Sequence, residues 1–241
     1  MKKKLLLMVA LLLLCLGTFA QARKQELRQL QGWQAGSVVS VEAVSDYGID
    51  RCFCAMNIPD EVFRRMIGKS FPEGCTVDRA GLRYVRLLHY DLKGNVRLGE
   101  MVCDRSIAAD LVDIFRTLYE HRYPIGSIRL IDDFQADDEL SMRANNTSAF
   151  CYRRIKGQER LSMHAQGRAI DLNPLYNPCV RQSRSGKTTV QPATATRYVD
   201  RKTHFPCRID KDDLAYRLFV QHGFRWGGAW RSVKDYQHFE K

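Results

Sequence analysis

Two short stretches of this chain hold residues that can do chemistry together. The first, LSMHAQGRAIDLNP at 161–174, sets His164 and Asp171 seven positions apart with Gly167 between them. The second, DYQHFE near the C-terminus, offers His238 three residues after Asp235. Imidazole and carboxylate are both good metal donors. A catalytic zinc site takes three protein ligands from His, Asp, Glu or Cys and keeps a further position for water. His164 and Asp171 supply two such donors, and a turn at Gly167 lets both face one point. DYQHFE adds a third donor and a spare carboxylate: on an extended or turning segment His238 and Asp235 can reach the same pocket, one as ligand and one as base. Quieter roles stay open on spacing alone: Asp171 as a turn cap with Asn173, Asp235 as a solvated charge. His89, His121, His204 and His222 read as core or surface residues, with His121 and His222 at helix ends where a cation suits the dipole.

Bringing residues 164, 171 and 238 to one point requires a scaffold, and the flanking patterns outline it. IPDEVFRRMIGKSF predicts a short helix capped by Asp60 and stopped at Gly68. LRYVRLLHYDLKGNVRLGEMVC predicts two strands joined through Lys-Gly-Asn. Ile107, Leu111, Ile114, Phe115 and Leu118 fall at helical spacing after a cap at Asp104 or Ser106, and Pro124 ends that helix. IGSIRLIDDF reads as a strand, DDELSMRANN as a short helix and RAIDLNP as a strand halted by Pro174. Residues 175–209 show little periodicity and read as one long loop. DKDDLAYRLFVQHG is a helix with Asp210 or Asp212 as cap and Gly223 past its end. Short strands mixed with separate helices predict an α+β fold: a small, largely antiparallel sheet with helices packed around it and the metal site on the sheet.

A length of 241 residues with 45% hydrophobic and 27% charged side chains suits one sizeable domain or two small ones. The opening MKKKLLLMVALLLLCLGTFAQA has the layout of a secretory signal: three lysines, an apolar run, then small residues. The run is shorter than the roughly 20 residues of a spanning helix, so no stable membrane span is expected once the signal is cut. The expected organisation is a signal peptide at 1–22, a polar lead-in at 23–57 and a domain at 58–241 that carries the candidate metal site. Export to the periplasm or the extracellular space follows. Loss of Lys2, Lys3 and Lys4 lowers the formal charge from +11 to +8, which favours polyanionic partners. The arginines are scattered without interleaved aromatics, so nucleic acid is not an expected partner. Of eight cysteines, Cys15 lies in the signal. In an oxidising compartment the other seven leave at least one thiol unpaired, and Cys179 with Cys207 is the favoured bridge.

SMHAQGRAIDLNP closely resembles the S-x-H-x-x-G-x-A-x-D motif of the zinc D-Ala-D-Ala carboxypeptidases and L-Ala-D-Glu endopeptidases of bacterial cell-wall metabolism. WGGAWRSVKDYQHFE resembles that family's W-G-G-x-W…D-x-x-H-F-E, and GEMVCD, IFRTLYEHRYPI and SMRANNTSAF are similar to its members as well. The resemblance covers most of the chain from about Ile58. It implies one Zn2+ held by His164, Asp171 and His238, with Asp235 as the catalytic carboxylate. A transition-state or substrate-binding arginine falls in the stretch from Arg143 to Arg153, with Arg153 ranked ahead. Ser162, Ser148 and Trp230 are the implied substrate contacts, and Trp226 is either groove lining or core. Where many relatives have Gly-Gly-Asp-Trp this chain has Gly-Gly-Ala-Trp, so Ala229 bears on substrate preference.

The expected function is hydrolysis of an amide bond in peptidoglycan stem peptides. A non-catalytic wall-binding protein with a structural metal is the alternative, and a thiol hydrolase using Cys151 is a third.

Overall fold

LRYVRLLHYD and its partner strand organise the larger half of the molecule. The computed structural model describes residues 18–155, 158–183 and 185–241. In it β3 (Leu82–Tyr90) and β4 (Val96–Asp104) form a nine-residue antiparallel hairpin, with Leu82 opposite Asp104 and Tyr90 opposite Val96. The Lys-Gly-Asn turn forms as expected. Asp91 Oδ1 accepts from the backbone amides of Lys93 and Asn95, both at 2.9 Å. β1 (Val38–Val39) pairs with the outer edge of β4 and β2 (Cys54–Met56) with that of β3, giving the order β1-β4-β3-β2.

The expected signal peptide falls outside the described residues as far as position 17. Residues 18–32 form a helix (α1), followed by the short α2 (Val41–Tyr47), capped by Ser40. The polar lead-in is therefore structured and packed into the same core. Leu27, Leu30 and Trp33 recur at three-residue intervals, and the buried Trp33 donates its indole N–H to the Gly99 carbonyl at 3.0 Å. No helix among the described residues is long and apolar enough to cross a membrane.

The expected helices form, with different caps. In α3 (Asp60–Met66) Pro59 is the capping position, and Asp60 instead pairs with Arg79 at 2.6 Å. In α4 (Ala108–Glu120) Ile107 holds the capping position without a side-chain bond, while Asp104 is occupied with Ser106. Its five spaced apolar residues are all buried against the sheet. IGSIRLIDDF yields only β5 (Ser127–Ile128) before turning into a short 3-10 helix, because Ser70 binds the Asp132 carboxylate through its amide and hydroxyl, both at 3.0 Å. α5 (Asp138–Arg143) follows, and β6 (Asn146–Thr147) runs parallel to β5.

The smaller half carries two three-stranded antiparallel sheets. One has the order β10-β12-β7, from β10 (Arg225–Trp226), β12 (His238–Glu240) and β7 (Ala169–Asp171). The other has the order β11-β8-β9, from β11 (Val233–Asp235), β8 (Cys179–Gln182) and β9 (Thr188–Gln191). The stretch 175–209, read from sequence as a loop, thus contains the β8–β9 hairpin and a 3-10 helix at Ala193–Tyr198. Most of the hairpin's side chains are at least partly exposed on both faces, so no apolar alternation marks it in sequence. α6 (Leu214–Gln221) joins the halves. Its Phe219 meets Phe115 of α4 edge-on at 6.2 Å and stacks on Phe239 of β12 at 4.3 Å. The fold is α+β, as expected.

The cap of α6 is Asp213, one residue beyond the expected pair, since Asp210 is engaged by Arg208. Asp213 accepts from the Ala215 and Tyr216 amides, and burial pushes its carboxyl from an ordinary 3.8 up to about 6. The folded chain then holds this proton more tightly than the unfolded chain, so the group costs stability as pH rises from about 4 to about 6. Asp213→Asn keeps a capping oxygen and removes the titration. Thermal melts of this variant across that window should show a flatter loss than the parent; an unchanged slope would count against the assignment.

Candidate active site

β12 and β7 alternate between core and cleft, and this alternation builds the floor of the site. Phe239 and Ile170 are register partners, and both are fully buried. The flanking pair, His238 opposite Asp171, therefore turns to the other face, where directly opposed side chains of antiparallel strands come within contact. His238 Nδ1 lies 3.1 Å from Asp171 Oδ1.

His164 arrives from a 3-10 turn, His164–Gln166, closed by Gly167 with φ 69°. A β-carbon at Gly167 would come within 2.6 Å of the Asp104 amide nitrogen, so the turn requires glycine on two counts. Ser162 braces the turn by accepting from the Ala165 amide at 3.1 Å. The His164 ring is fixed by a 2.6 Å bond from Nδ1 to the Ala149 carbonyl. That acceptor puts the proton on Nδ1 and leaves the Nε2 lone pair for the cleft. Nε2 lies 3.2 Å from His238 Nδ1 and 3.3 Å from Asp171 Oδ1.

The three donor atoms thus form a near-equilateral triangle. Zinc bonds of about 2.0–2.1 Å in a tetrahedron set neighbouring donors roughly 3.3 Å apart, so the spacing fits one metal ion touching all three. Among the described residues this is the group of histidine, cysteine and acidic side chains that could hold a metal. Electrostatics agree with that geometry. Burial alone would raise Asp171, yet the two histidines outweigh it and hold its carboxyl far below the usual range. Burial likewise opposes charge on His238, but Asp171 and Glu240 raise it to about 10.

Asp235 closes the site from β11, opposite Cys179 of β8. Burial and the Asp171 charge push its carboxyl up, with His238 opposing them. Its Oδ1 is buried without a hydrogen bond to the described residues. The cleft above has a volume of about 460 Å³, and its walls include Arg153, Ser162, Arg181 and Trp230. Trp230 sets its ring 5.2 Å from that of His238. Trp226 plays the core role: it is buried and donates its indole N–H to the Tyr236 carbonyl at 2.9 Å.

Of the two candidate arginines, Arg153 lines the cleft and pairs with Asp138 at 2.5 Å. Arg143 pairs with Glu139 along α5 at 3.0 Å and does not line it. Ser148, an expected substrate contact, does not line the cleft; its backbone is bridged to that of Asp171 beside it. The expected Cys179–Cys207 bridge is absent: both thiols are free, Cys179 beside Asp235 and Cys207 against the Pro124 carbonyl at 3.5 Å. Cys151 does not line the cleft, and burial pushes its thiol up to about 12, so nothing marks it as an activated nucleophile.

Residues that the sequence reading passed over also serve the site. Glu240 meets His238 Nε2 at 3.2 Å, and Gly227 lets β11 approach. A β-carbon at Gly227 would fall 2.7 Å from the Asp235 carbonyl and 3.2 Å from His238 Cβ. The signal for Glu240 was present, two residues after His238 on an alternating strand.

Residues 156–241 match a family model described as D-alanyl-D-alanine carboxypeptidase, a stretch that contains His164, Asp171, Asp235 and His238. This C-terminal region is similar to that family of peptidases. No curated protein and no solved structure matches the chain.

Gly227→Ala should force Asp235 and His238 apart and lower peptidase activity by at least about tenfold, since small displacements of reacting groups are costly. Gly32→Ala, where nothing lies within 4 Å, is the control and should leave activity unchanged. Equal rates in both variants would show that the close approach at Gly227 does not position the site.

Proposed function

We propose that the protein is a zinc-dependent peptidase that hydrolyses an amide bond in peptidoglycan stem peptides, acting after export to the periplasm or the extracellular space. The bond is of the D-Ala-D-Ala carboxypeptidase or L-Ala-D-Glu endopeptidase type. The observation that carries this reading is the triangle of His164, Asp171 and His238 donors, 3.1–3.3 Å apart, beside the buried Asp235. The family match supports a peptidase and a cell-wall substrate. The apolar N-terminal run supports export.

When bound, zinc supplies Lewis-acid activation of water and of a peptide carbonyl. The chain's own residues do the rest. Asp235 accepts a proton from the attacking water at its carboxylate and returns it to the departing amine. A carboxyl pushed upward by burial is a stronger base toward the attacking water than an ordinary carboxylate, and as an acid it can still return the proton to the amine. Arg153, steadied by Asp138, presents a planar guanidinium suited to a substrate carboxylate or to charge developing on the carbonyl oxygen. Trp230 and Ser162 shape the wall beside the reacting bond. Arg143, held by Glu139 on α5, takes no part.

His164→Ala, Asp171→Ala and His238→Ala should each lose tightly bound zinc, measured by metal analysis after dialysis. Asp235→Asn should keep zinc while kcat falls by roughly 100-fold or more. Undiminished turnover of Asp235→Asn would remove Asp235 from the role of proton carrier. Defined muropeptides incubated with and without a chelator, and followed by mass spectrometry, identify the bond. Chelator-sensitive products support the enzyme, whereas binding without cleavage supports a wall-binding protein with a structural metal.

A further inference from the structure

We infer that Glu240, steadied by Arg225, is a positioning residue that fixes the tautomer of His238 and so directs its Nδ1 lone pair at the metal. The inference rests on the reading of His238 as a ligand. The two histidines of the triangle present different nitrogens to it: Nε2 from His164 and Nδ1 from His238. Each needs its other nitrogen protonated, and each has its own acceptor. For His164 the acceptor is the neutral Ala149 carbonyl at 2.6 Å. For His238 it is the Glu240 carboxylate, with Oε2 3.2 Å from Nε2.

An ionised carboxylate can only accept. Asp171 Oδ1 faces Nδ1 at 3.1 Å and Glu240 Oε2 faces Nε2. Once a cation takes the place of the Nδ1 proton, the Glu240 contact keeps the remaining proton on Nε2. A carboxylate behind a ligating imidazole also makes the facing nitrogen a stronger donor. Strand geometry makes the contact. His238 and Glu240 are two apart on β12 and share the cleft face, with Phe239 between them anchored in the core. Arg225, the register partner of Glu240 on β10, donates to Oε1 at 2.8 Å and leaves Oε2 for the histidine.

The two supports differ in weight. Glu240 is largely shielded, with 13% of its side chain exposed, whereas Arg225 is 74% exposed. An exposed ion pair contributes little. The carboxylate therefore carries most of the effect, and Arg225 only limits its rotation.

Zinc affinity measured by competition with a chromophoric chelator tests this directly. Glu240→Ala should weaken zinc binding by about 10- to 100-fold. Glu240→Gln, whose amide oxygen still accepts from Nε2, should recover most of that loss, and Arg225→Ala should stay within about threefold of the parent. Melting of the metal-free variants reports whether each is folded. Nitrogen-15 shifts of the His238 ring in the zinc-loaded parent give an answer independent of any variant: a proton on Nε2 is expected, and one on Nδ1 would overturn the inference. Parent-like zinc affinity in folded Glu240→Ala would also overturn it, while leaving the zinc site itself standing. A parent protein that binds no zinc would overturn the underlying reading and this inference with it.

Discussion

The site hangs on one register. Phe239 of β12 and Ile170 of β7 face each other inside the core, and that apolar pairing decides which way their neighbours point. Strand side chains alternate faces, so a slip of one residue would send His238 and Asp171 to opposite faces and dissolve the donor triangle. The stack of Phe239 on Phe219 ties the same register to α6, and the edge contact of Phe219 with Phe115 carries it to α4 and the large sheet. The chemistry of the cleft is thus anchored through a row of aromatic rings to the part of the chain with the largest core.

Around that register the cleft divides its electrostatic labour. One carboxylate, Asp171, is held strongly anionic by the two imidazoles, while another, Asp235, is pushed upward by burial and by the charge of Asp171. Two acids of the same type in one cleft are driven in opposite directions by what touches them. That separation makes one fit to bind a cation and the other fit to exchange a proton.

The elements that sequence rendered legible are those with their own local driving force. The β3–β4 hairpin, α4 and α6 each bury a regular apolar pattern, and the motif around His164 and Asp171 carries its glycine turn with it. The donor set was legible in residue type and spacing; its convergence came from strand pairing across 67 positions, from Asp171 to His238, which no local pattern encodes. Three features were hidden for distinct reasons. The N-terminal helix shows only a sparse stripe of Leu27, Leu30 and Trp33, too thin to stand out in a polar stretch. The β8–β9 hairpin is wet on both sides and lacks alternation. Capping at Asp213 instead of Asp210 was decided by Arg208, a competition between neighbours that propensity does not resolve.

The exposure of that hairpin has a consequence for how such a cleft can change over time. Cys179, Arg181 and Gln191 belong to it and face the cavity, yet most of its side chains contribute little to the core. Substitution at its exposed positions carries little folding penalty, whereas substitution in β12 disturbs the aromatic row. The hairpin wall is therefore tolerant of substitution, while the floor that holds the donor triangle is constrained by its own packing. The wall and the metal-binding floor thus sit on strands of very different tolerance, linked where Asp235 of β11 pairs with Cys179 of the hairpin.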